Sequence, residues 1–467
     1  MNRVLSLLVL LSLVTLHAEA KVRRALEPIA GRYLVVLNET SAADVPARAT
    51  ALALSHGGRI IGVFKHGIKG FGVELPDHAA EALSLDPRVA WVEEDAVGHL
   101  SYEVEYYSTD GNWHLDRIDQ RTKIPLHSYK AYGWTFRGNN VNAYVVDTGI
   151  QAKHIEFDDD GNPATVGSSR VTAGANFGIA LDSNLPTNPC GGYMNHYNGG
   201  HGTAVASIIG GKTNGVARGV TLVPVKVMKC SPLWDHKVFF SKVDVVQSLD
   251  WILADMASTA NTGRRAVVNL SLYFDSNTEM CDNGHGGTTN CASALENNIN
   301  NLISAGITVV VSANNQGANL CGSSTVPGQS PARMGYGNET NFPNTYRTIT
   351  VGGTDINDAR FTCATGCTGT SVPPGSNFGP CVSIYAPAKN VRGAHIASFT
   401  SYRGDANTLS ENPYSGWGFN DVTVRSGTSF AAPVVAGLAA RLLQQFPTMT
   451  PANVWLAIKS RATNLPA

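Results

Sequence analysis

The chain has 467 residues, enough for two to three domains around a large core. Hydrophobic residues make up 43% and charged residues 15%, the balance of a soluble globular protein. The 35 Lys and Arg against 36 Asp and Glu leave a formal charge of −1, which excludes the basic footprint that binding to nucleic acid or an anionic membrane surface would require.

The N-terminus reads MNRVLSLLVLLSLVTLHAEA. Arg3 precedes an apolar run from Val4 to Leu16, and Ala18-Glu19-Ala20 has the form of a cleavage site. Residues 1–20 are expected to be a secretory signal peptide, with an apolar run too short for a membrane anchor, and the protein to be extracellular. The eight cysteines are Cys190, Cys230, Cys281, Cys291, Cys321, Cys363, Cys367 and Cys381. An even number in an exported chain favours disulfides. The pairing is open; Cys281–Cys291 and Cys363–Cys367 each flank one short loop and are first guesses. Glycosylation sequons begin at Asn38, Asn269 and Asn338. Asn269 falls on an expected core strand, an unsuitable place for a glycan.

RYLVVLN (32–38) reads as a strand and 43–56 as an Ala-rich helix. RIIGVFKHGIKGFGVEL (59–75) reads as two strands about a Gly-punctuated turn, HAAEALSLD (78–86) as a helix and VAWVEED (89–95) as a strand. This β-α-β-β-α-β order predicts a small α+β, ferredoxin-like domain over 21–102 with its core at 30–97. HLSYEVEYYSTDGN (99–112) is polar and reads as a linker.

A second domain spans 103–467. Its apolar runs are VNAYVVD (141–147), TLVPVKVM (221–228), AVVNLSL (266–272), ITVVVSA (307–313) and TITVGG (348–353). Helix-like segments separate them at 203–211, 244–258 and 292–306, and another follows Ser429. Alternating strands and helices predict an α/β fold with a mostly parallel sheet covered on both faces, which binds ligands at the carboxyl ends of its strands.

Three polar residues at such ends matter together. Asp147 closes AYVVD, His201 lies in GGHGTAVAS, and Ser429 opens a helix after Ser426-Gly427-Thr428. Alone, each is an ordinary turn residue, loop histidine or helix cap. As a set they supply a hydroxyl nucleophile, an imidazole base and a carboxylate to orient it. SANNQG (312–317), after another apolar run, offers an asparagine as oxyanion donor. ASIIGGKT (206–213) misses a phosphate-binding loop by one residue, and it ends a helical pattern where such a loop would open one.

The motifs VVDTGI (145–150), GGHGTAVAS (199–207) and SGTSFAAPVVAGLAA (426–440) resemble those of the subtilases, in particular secreted proteinase K-like serine proteases. Residues 30–97 resemble the subtilase inhibitor propeptide, and WHLDRIDQR (113–121) the start of the mature enzyme. The resemblance implies a subtilisin-like three-layer αβα fold and a secreted serine endopeptidase made as a self-cleaving zymogen. Asp147 would orient the imidazole, His201 would be general base and acid, Ser429 the nucleophile and Asn315 the oxyanion donor. Substrate would bind along Ser271 and Leu272, with Tyr273 and Asn314 beside the pocket where the family has glycines. Self-cleavage is expected between about Tyr102 and Ser108. The partners implied are protein or peptide substrates and the chain's own propeptide as intramolecular inhibitor, with no nucleic acid or membrane and a monomeric state. The chemistry needs no cofactor. A structural calcium is compatible with the family, but no metal ligand is assigned: one family carboxylate falls on Ser383, and Asp158, Asp159 and Asp160 read as a solvated acidic loop.

Overall fold

The structure is a computed structural model. It describes residues 22–100, 104–106, 112–121, 135–152, 154–157, 169–178, 200–230, 238–275, 280–282, 288–290, 292–321, 329–336, 347–362, 374–394 and 422–463. The first part runs β1 (Val22–Arg23), β2 (Pro28–Leu37), α1 (Val45–Ser55), β3 (Arg59–Phe64), β4 (Gly70–Glu74), α2 (Asp77–Ser84) and β5 (Val89–Leu100). Apart from the short β1, this is the order expected from the sequence. Strands β5-β2-β4-β3 are antiparallel neighbours.

The unbroken apolar run in β2 follows from burial on both faces. Tyr33, Val35 and Leu37 pack with Val45, Leu52 and Leu83 of α1 and α2. Leu34 and Val36 face the other way, into a core shared with Val243, Val246 and Leu249 of the second part. A strand covered on both sides needs no polar alternation.

The second part contains, in order, β6 (Val104–Tyr106), α3 (Trp113–Ile118), β7 (Val141–Asp147), β8 (Ala175–Asn176), α4 (His201–Gly210), β9 (Thr221–Lys226), β10 (Lys229–Cys230), β11 (Val238–Ser241) and α5 (Lys242–Met256). It continues with β12 (Arg265–Leu270), β13 (Leu272–Tyr273), β14 (Met280–Asp282), β15 (Thr288–Asn290), α6 (Ala294–Ser304), β16 (Thr308–Ser312), β17 (Ile349–Thr354) and β18 (Ile384–Pro387). β19 (Val391–Ala394), β20 (Val422–Ser426), α7 (Thr428–Gln445) and α8 (Pro451–Lys459) complete it. The main sheet has the order β18-β17-β16-β12-β7-β9-β8 and every pairing in it is parallel. All five expected apolar runs lie in it. Val145, Val267 and Val310 face a core with α4 and α7; Val146, Val268 and Val311 face one with α5 and α6. This is the expected αβα layering.

The stretch 99–112 is not simply a linker. His99 and Leu100 finish β5, and β6 pairs antiparallel with β20. Its polar residues carry no strand periodicity; unpaired edges elsewhere in the chain supply the hydrogen bonds.

The two parts meet through charge as well as apolar packing. Glu93 and Asp95, two residues apart on β5, share one face. Val243 N–H donates to Asp95 Oδ1 at 3.0 Å, and Ala294 N–H donates to Glu93 Oε2 at 3.0 Å. These are the first turns of α5 and α6, where unpaired N–H groups and the helix dipole favour a carboxylate. Arg32 Nη2 lies 2.9 Å from Asp95 Oδ2 and Lys242 Nζ 3.5 Å from Glu93 Oε1. In return, Asp250 of α5 accepts the N–H groups of Lys65, His66 and Gly67 at 3.0, 2.6 and 2.6 Å.

Cys321 and Cys381 form a disulfide that ties the loop after β16 to the loop before β18. The guessed pairings involve Cys291, Cys363 and Cys367, which lie outside the described residues. Asn269 is buried in β12 and its Nδ2 donates to Ser271 Oγ at 2.9 Å, which leaves no place for a glycan there. Asn338, Asp158, Asp159 and Asp160 lie outside the described residues, as does the expected signal peptide.

Candidate active site

Asp147 ends β7, the strand at which the sheet order turns back between β12 and β9. Crevices of open α/β sheets form at such points. Thr148 N–H donates to Asp147 Oδ1 at 2.7 Å. His201 is the first residue of α4, and its Nδ1 lies 2.9 Å from both Asp147 oxygens. Gly202 permits this approach: a Cβ there would stand 2.4 Å from the Gly149 carbonyl oxygen and 3.1 Å from Asp147 Cβ. With Nδ1–H donated to the carboxylate, Nε2 carries the lone pair, the state a general base needs. Nε2 is buried and has no hydrogen-bond partner among the described residues.

Ser429 is the second residue of α7. Pro433 lies inside that helix and has no N–H, so the Ser429 carbonyl lacks its usual donor four residues on. Ser271 Oγ takes the place, donating to Ser429 O at 3.0 Å. Ser429 Oγ in turn lies 3.5 Å from the Ser271 carbonyl oxygen, a long contact. The structure therefore forms the Asp147–His201 pair, sets the His201 ring 5.6 Å from that of Phe430, and leaves the Ser429 hydroxyl turned to Ser271. Such hydroxyl–imidazole bonds often tighten only once substrate is seated. Asp147, His201 and Ser429 are all completely buried.

Asn315 lies just beyond β16, and its Oδ1 accepts the Thr428 N–H at 2.9 Å. That satisfies one open donor at the start of α7 and orients the amide with Nδ2 as its donor end. Asn314 holds a left-handed φ of +70°, a conformation that asparagine tolerates better than most residues. Its Nδ2 donates to Gln329 Oε1 at 2.9 Å, and Gln329 Nε2 donates to Asp275 Oδ1 at 2.9 Å.

Leu272 and Tyr273 pair antiparallel with Leu100 and His99 of β5. On its other side β5 pairs with β11, Gly98 opposite Phe240 and Val97 opposite Ser241. The end of β5 is thus a middle strand between β11 and β13. The two aromatics after Leu272 part company: the Tyr273 ring lies 5.4 Å from that of His99, whereas Phe274 is buried and meets Phe240 edge-on at 5.4 Å. Burial, helped by Asp275, pushes the Tyr273 hydroxyl up to about 12. Ser383 is a backbone clamp, accepting the N–H groups of Tyr336 at 2.9 Å and Thr350 at 3.1 Å. The second wall of the groove, β11, had no marker in the sequence beyond a short apolar run, because its role depends on the strand that it meets. Glu93 and Asp95 were visible as acids at alternate positions, but not the helix ends that receive them.

Comparison with known proteins agrees with this arrangement. Residues 138–467 match the subtilase family (Peptidase S8) and residues 32–101 match the peptidase inhibitor I9 domain. The chain is 34% identical to an extracellular serine proteinase of Thermus sp. (strain Rt41A), over 94% of this chain and 86% of that protein. It is 28% identical to the alkaline serine protease ver112 of Corniculantispora psalliotae, over 90% and 82%. Among solved structures it resembles a cold adapted subtilisin-like serine proteinase at 29% identity and a TM-score of 0.50, over 76% of this chain and 93% of that one. Fervidolysin from Fervidobacterium pennivorans shares the fold, with a TM-score of 0.61 at 19% identity, over 96% of this chain and 60% of that one. The chain belongs to the subtilase family of serine endopeptidases and carries an I9 inhibitor domain ahead of its peptidase domain.

Proposed function

We propose that the protein is an exported zymogen that cuts its own chain and then hydrolyses other proteins, with Ser429, His201, Asp147 and Asn315 as its chemical groups. One observation carries this reading. Strand pairing holds the described residues Leu100 and Val104 beside the segments that carry Ser271 and Ser429. Leu100 pairs with Leu272, beside Ser271, whose carbonyl oxygen is 3.5 Å from Ser429 Oγ. Val104 pairs with Ser426, three residues before Ser429. A peptide in the register of β5 sets the residue after the one opposite Leu272 against Ser271, so that its carbonyl meets the nucleophile. By sequence count the proposed cut would leave Tyr102 as the new N-terminus, where the expected window begins.

In the proposed reaction His201 Nε2 takes the Ser429 proton as Oγ attacks that carbonyl. Asn315 Nδ2 and the Ser429 N–H stabilise the oxyanion. The C–N bond then breaks, His201 returns the proton to the leaving amine, and water repeats the sequence on the acyl-enzyme. Asp147 holds the imidazole tautomer throughout. Protein groups and water suffice. Export rests on the N-terminal sequence and on one relative named extracellular; among the described residues no helix is long and apolar enough to cross a membrane. Intact mass and N-terminal sequencing of the secreted protein beside its Ser429→Ala variant test the reading. A new N-terminus within 102–108 in wild type alone is expected. The same cut in both proteins, or a first N-terminus beyond Trp113, would contradict self-processing.

Inhibition by the released propeptide should depend on pH through Asp95. Burial in the docked state raises this carboxyl to about 6, against the pull of Arg32, the Val243 N–H and Lys242. A carboxyl whose docked value lies above its free value takes up a proton on docking. The contribution is complete below the free value of 3.8 and is lost as the pH rises through about 6. Affinity should therefore be about tenfold higher at pH 5 than at pH 7. Inhibition constants for propeptide added in trans should show this ratio, and Asp95→Asn should remove it.

A further inference from the structure

Three metal-ligating side chains converge where the inhibitor domain meets the peptidase domain. Glu27 stands just before β2, His99 lies near the end of β5 and Asp275 follows β13. Strand pairing gathers them. The Val97 N–H donates to the Glu27 carbonyl at 3.0 Å, which lays Glu27 along β5. His99 pairs with Tyr273, and Asp275 lies two residues beyond Tyr273, the spacing that returns a side chain to the same face of an extended chain. One imidazole nitrogen and one oxygen from each carboxylate all lie within 4.8 Å of one another.

The groups are oriented as well as close. His99 Nε2 lies 2.5 Å from Glu27 Oε2, so that edge of the ring faces the carboxylate. Asp275 Oδ1 accepts the Gln329 Nε2–H at 2.9 Å, the kind of hydrogen bond that steadies a ligating carboxylate and leaves its other oxygen for an ion. Among the described residues no lysine or arginine pairs with Glu27 or Asp275, so two carboxylates meet across one histidine. An imidazole beside carboxylate oxygens suits zinc, whereas calcium and magnesium favour oxygen alone. Tetrahedral zinc holds its N and O ligand atoms about 3.4 Å apart. Seating the ion would therefore replace the His99–Glu27 hydrogen bond and part the two groups by about 1 Å, a shift that the exposed Glu27 side chain can make.

We propose that Glu27, His99 and Asp275 bind one zinc ion, with water as the fourth ligand, and that this ion clamps the inhibitor domain onto the peptidase domain. The clamp rests on the reading of the first domain as the enzyme's own inhibitor. That domain supplies two ligands and the peptidase domain one, so the site is complete only in the docked state. By linkage, whatever docking adds to zinc affinity, zinc adds to docking.

Zinc titration of the untagged full chain carrying Ser429→Ala, read by competition with a chromophoric chelator, should find one ion per chain. Adding Asp275→Asn or, separately, Glu27→Gln should weaken binding by at least about tenfold, since even a residue that only steadies a ligand is worth that much. Zinc should raise the melting temperature of the parent chain and not that of either variant. No bound zinc, or binding unchanged by Asp275→Asn, would overturn the site. In the wild-type chain, zinc should delay the rise of activity that follows self-cleavage by about tenfold, and Asp275→Asn should remove the delay. No delay, or an equal delay in both chains, would overturn the clamp. A wild-type chain that never becomes active would count against self-processing instead, and the titration and melting temperatures would still decide the site.

Discussion

Replacing Ser429 by alanine should lower peptide turnover by about 10⁶-fold and leave KM within about threefold. The substitution removes the attacking oxygen and almost nothing else. The bond that ties Ser429 to the substrate strand is made by its backbone carbonyl, which accepts from Ser271 Oγ at 3.0 Å and survives the change. The Asp147–His201 pair does not depend on the hydroxyl, since His201 is held from its Nδ1 side. Residual activity should come from the oxyanion donors and from binding alone. Single-turnover and steady-state rates on one peptide measure the effect. His201→Ala should cost nearly as much, and the double variant little more than either, because groups that act as a unit are not additive. A loss below about 10²-fold for Ser429→Ala would mean that another group is the nucleophile.

The sequence carried the layout of the site better than its working position. Asp147 could be placed because it closes an apolar run, and parallel strands gather their carboxyl ends at one edge, whereas Ser271 and Asn315 were placed only through the resemblance to the subtilases. The inhibitor domain was legible for a related reason: its helices and strands are short, regular and punctuated by Gly and Pro. Three things were not legible, and all are pairings between distant segments. β11 reads as four residues of no particular pattern until β5 lies against it. The stretch 99–112 reads as a linker because its strand partner, β20, lies more than 300 residues away. Asn314 reads as an intrusion into the pocket wall, whereas its left-handed φ turns the side chain to Gln329. Local pattern reports what a segment can be; such cross-chain hydrogen bonds decide what it becomes.

Asn315→Ala should reduce kcat by about 10²–10³-fold with little change in KM, the pattern of a donor used only in the transition state. The amide is anchored by its oxygen, which accepts the Thr428 N–H at 2.9 Å. It therefore does two things, fixing the first turn of α7 and aiming Nδ2, and alanine removes both. Asn315→Asp separates them. An aspartate keeps an oxygen for the Thr428 N–H but presents a second oxygen where a donor is needed. It should fall at least as far in kcat as alanine while keeping a melting temperature nearer to wild type. If Asn315→Asp were instead stable and nearly fully active, the oxyanion donor would lie elsewhere. Asn314 would be the next residue to substitute, although its Nδ2 already donates to Gln329 at 2.9 Å. A donor committed to a neighbour cannot follow a charge that develops on the substrate without breaking that bond. Asn315 is held through its acceptor, which takes the Thr428 N–H at 2.9 Å.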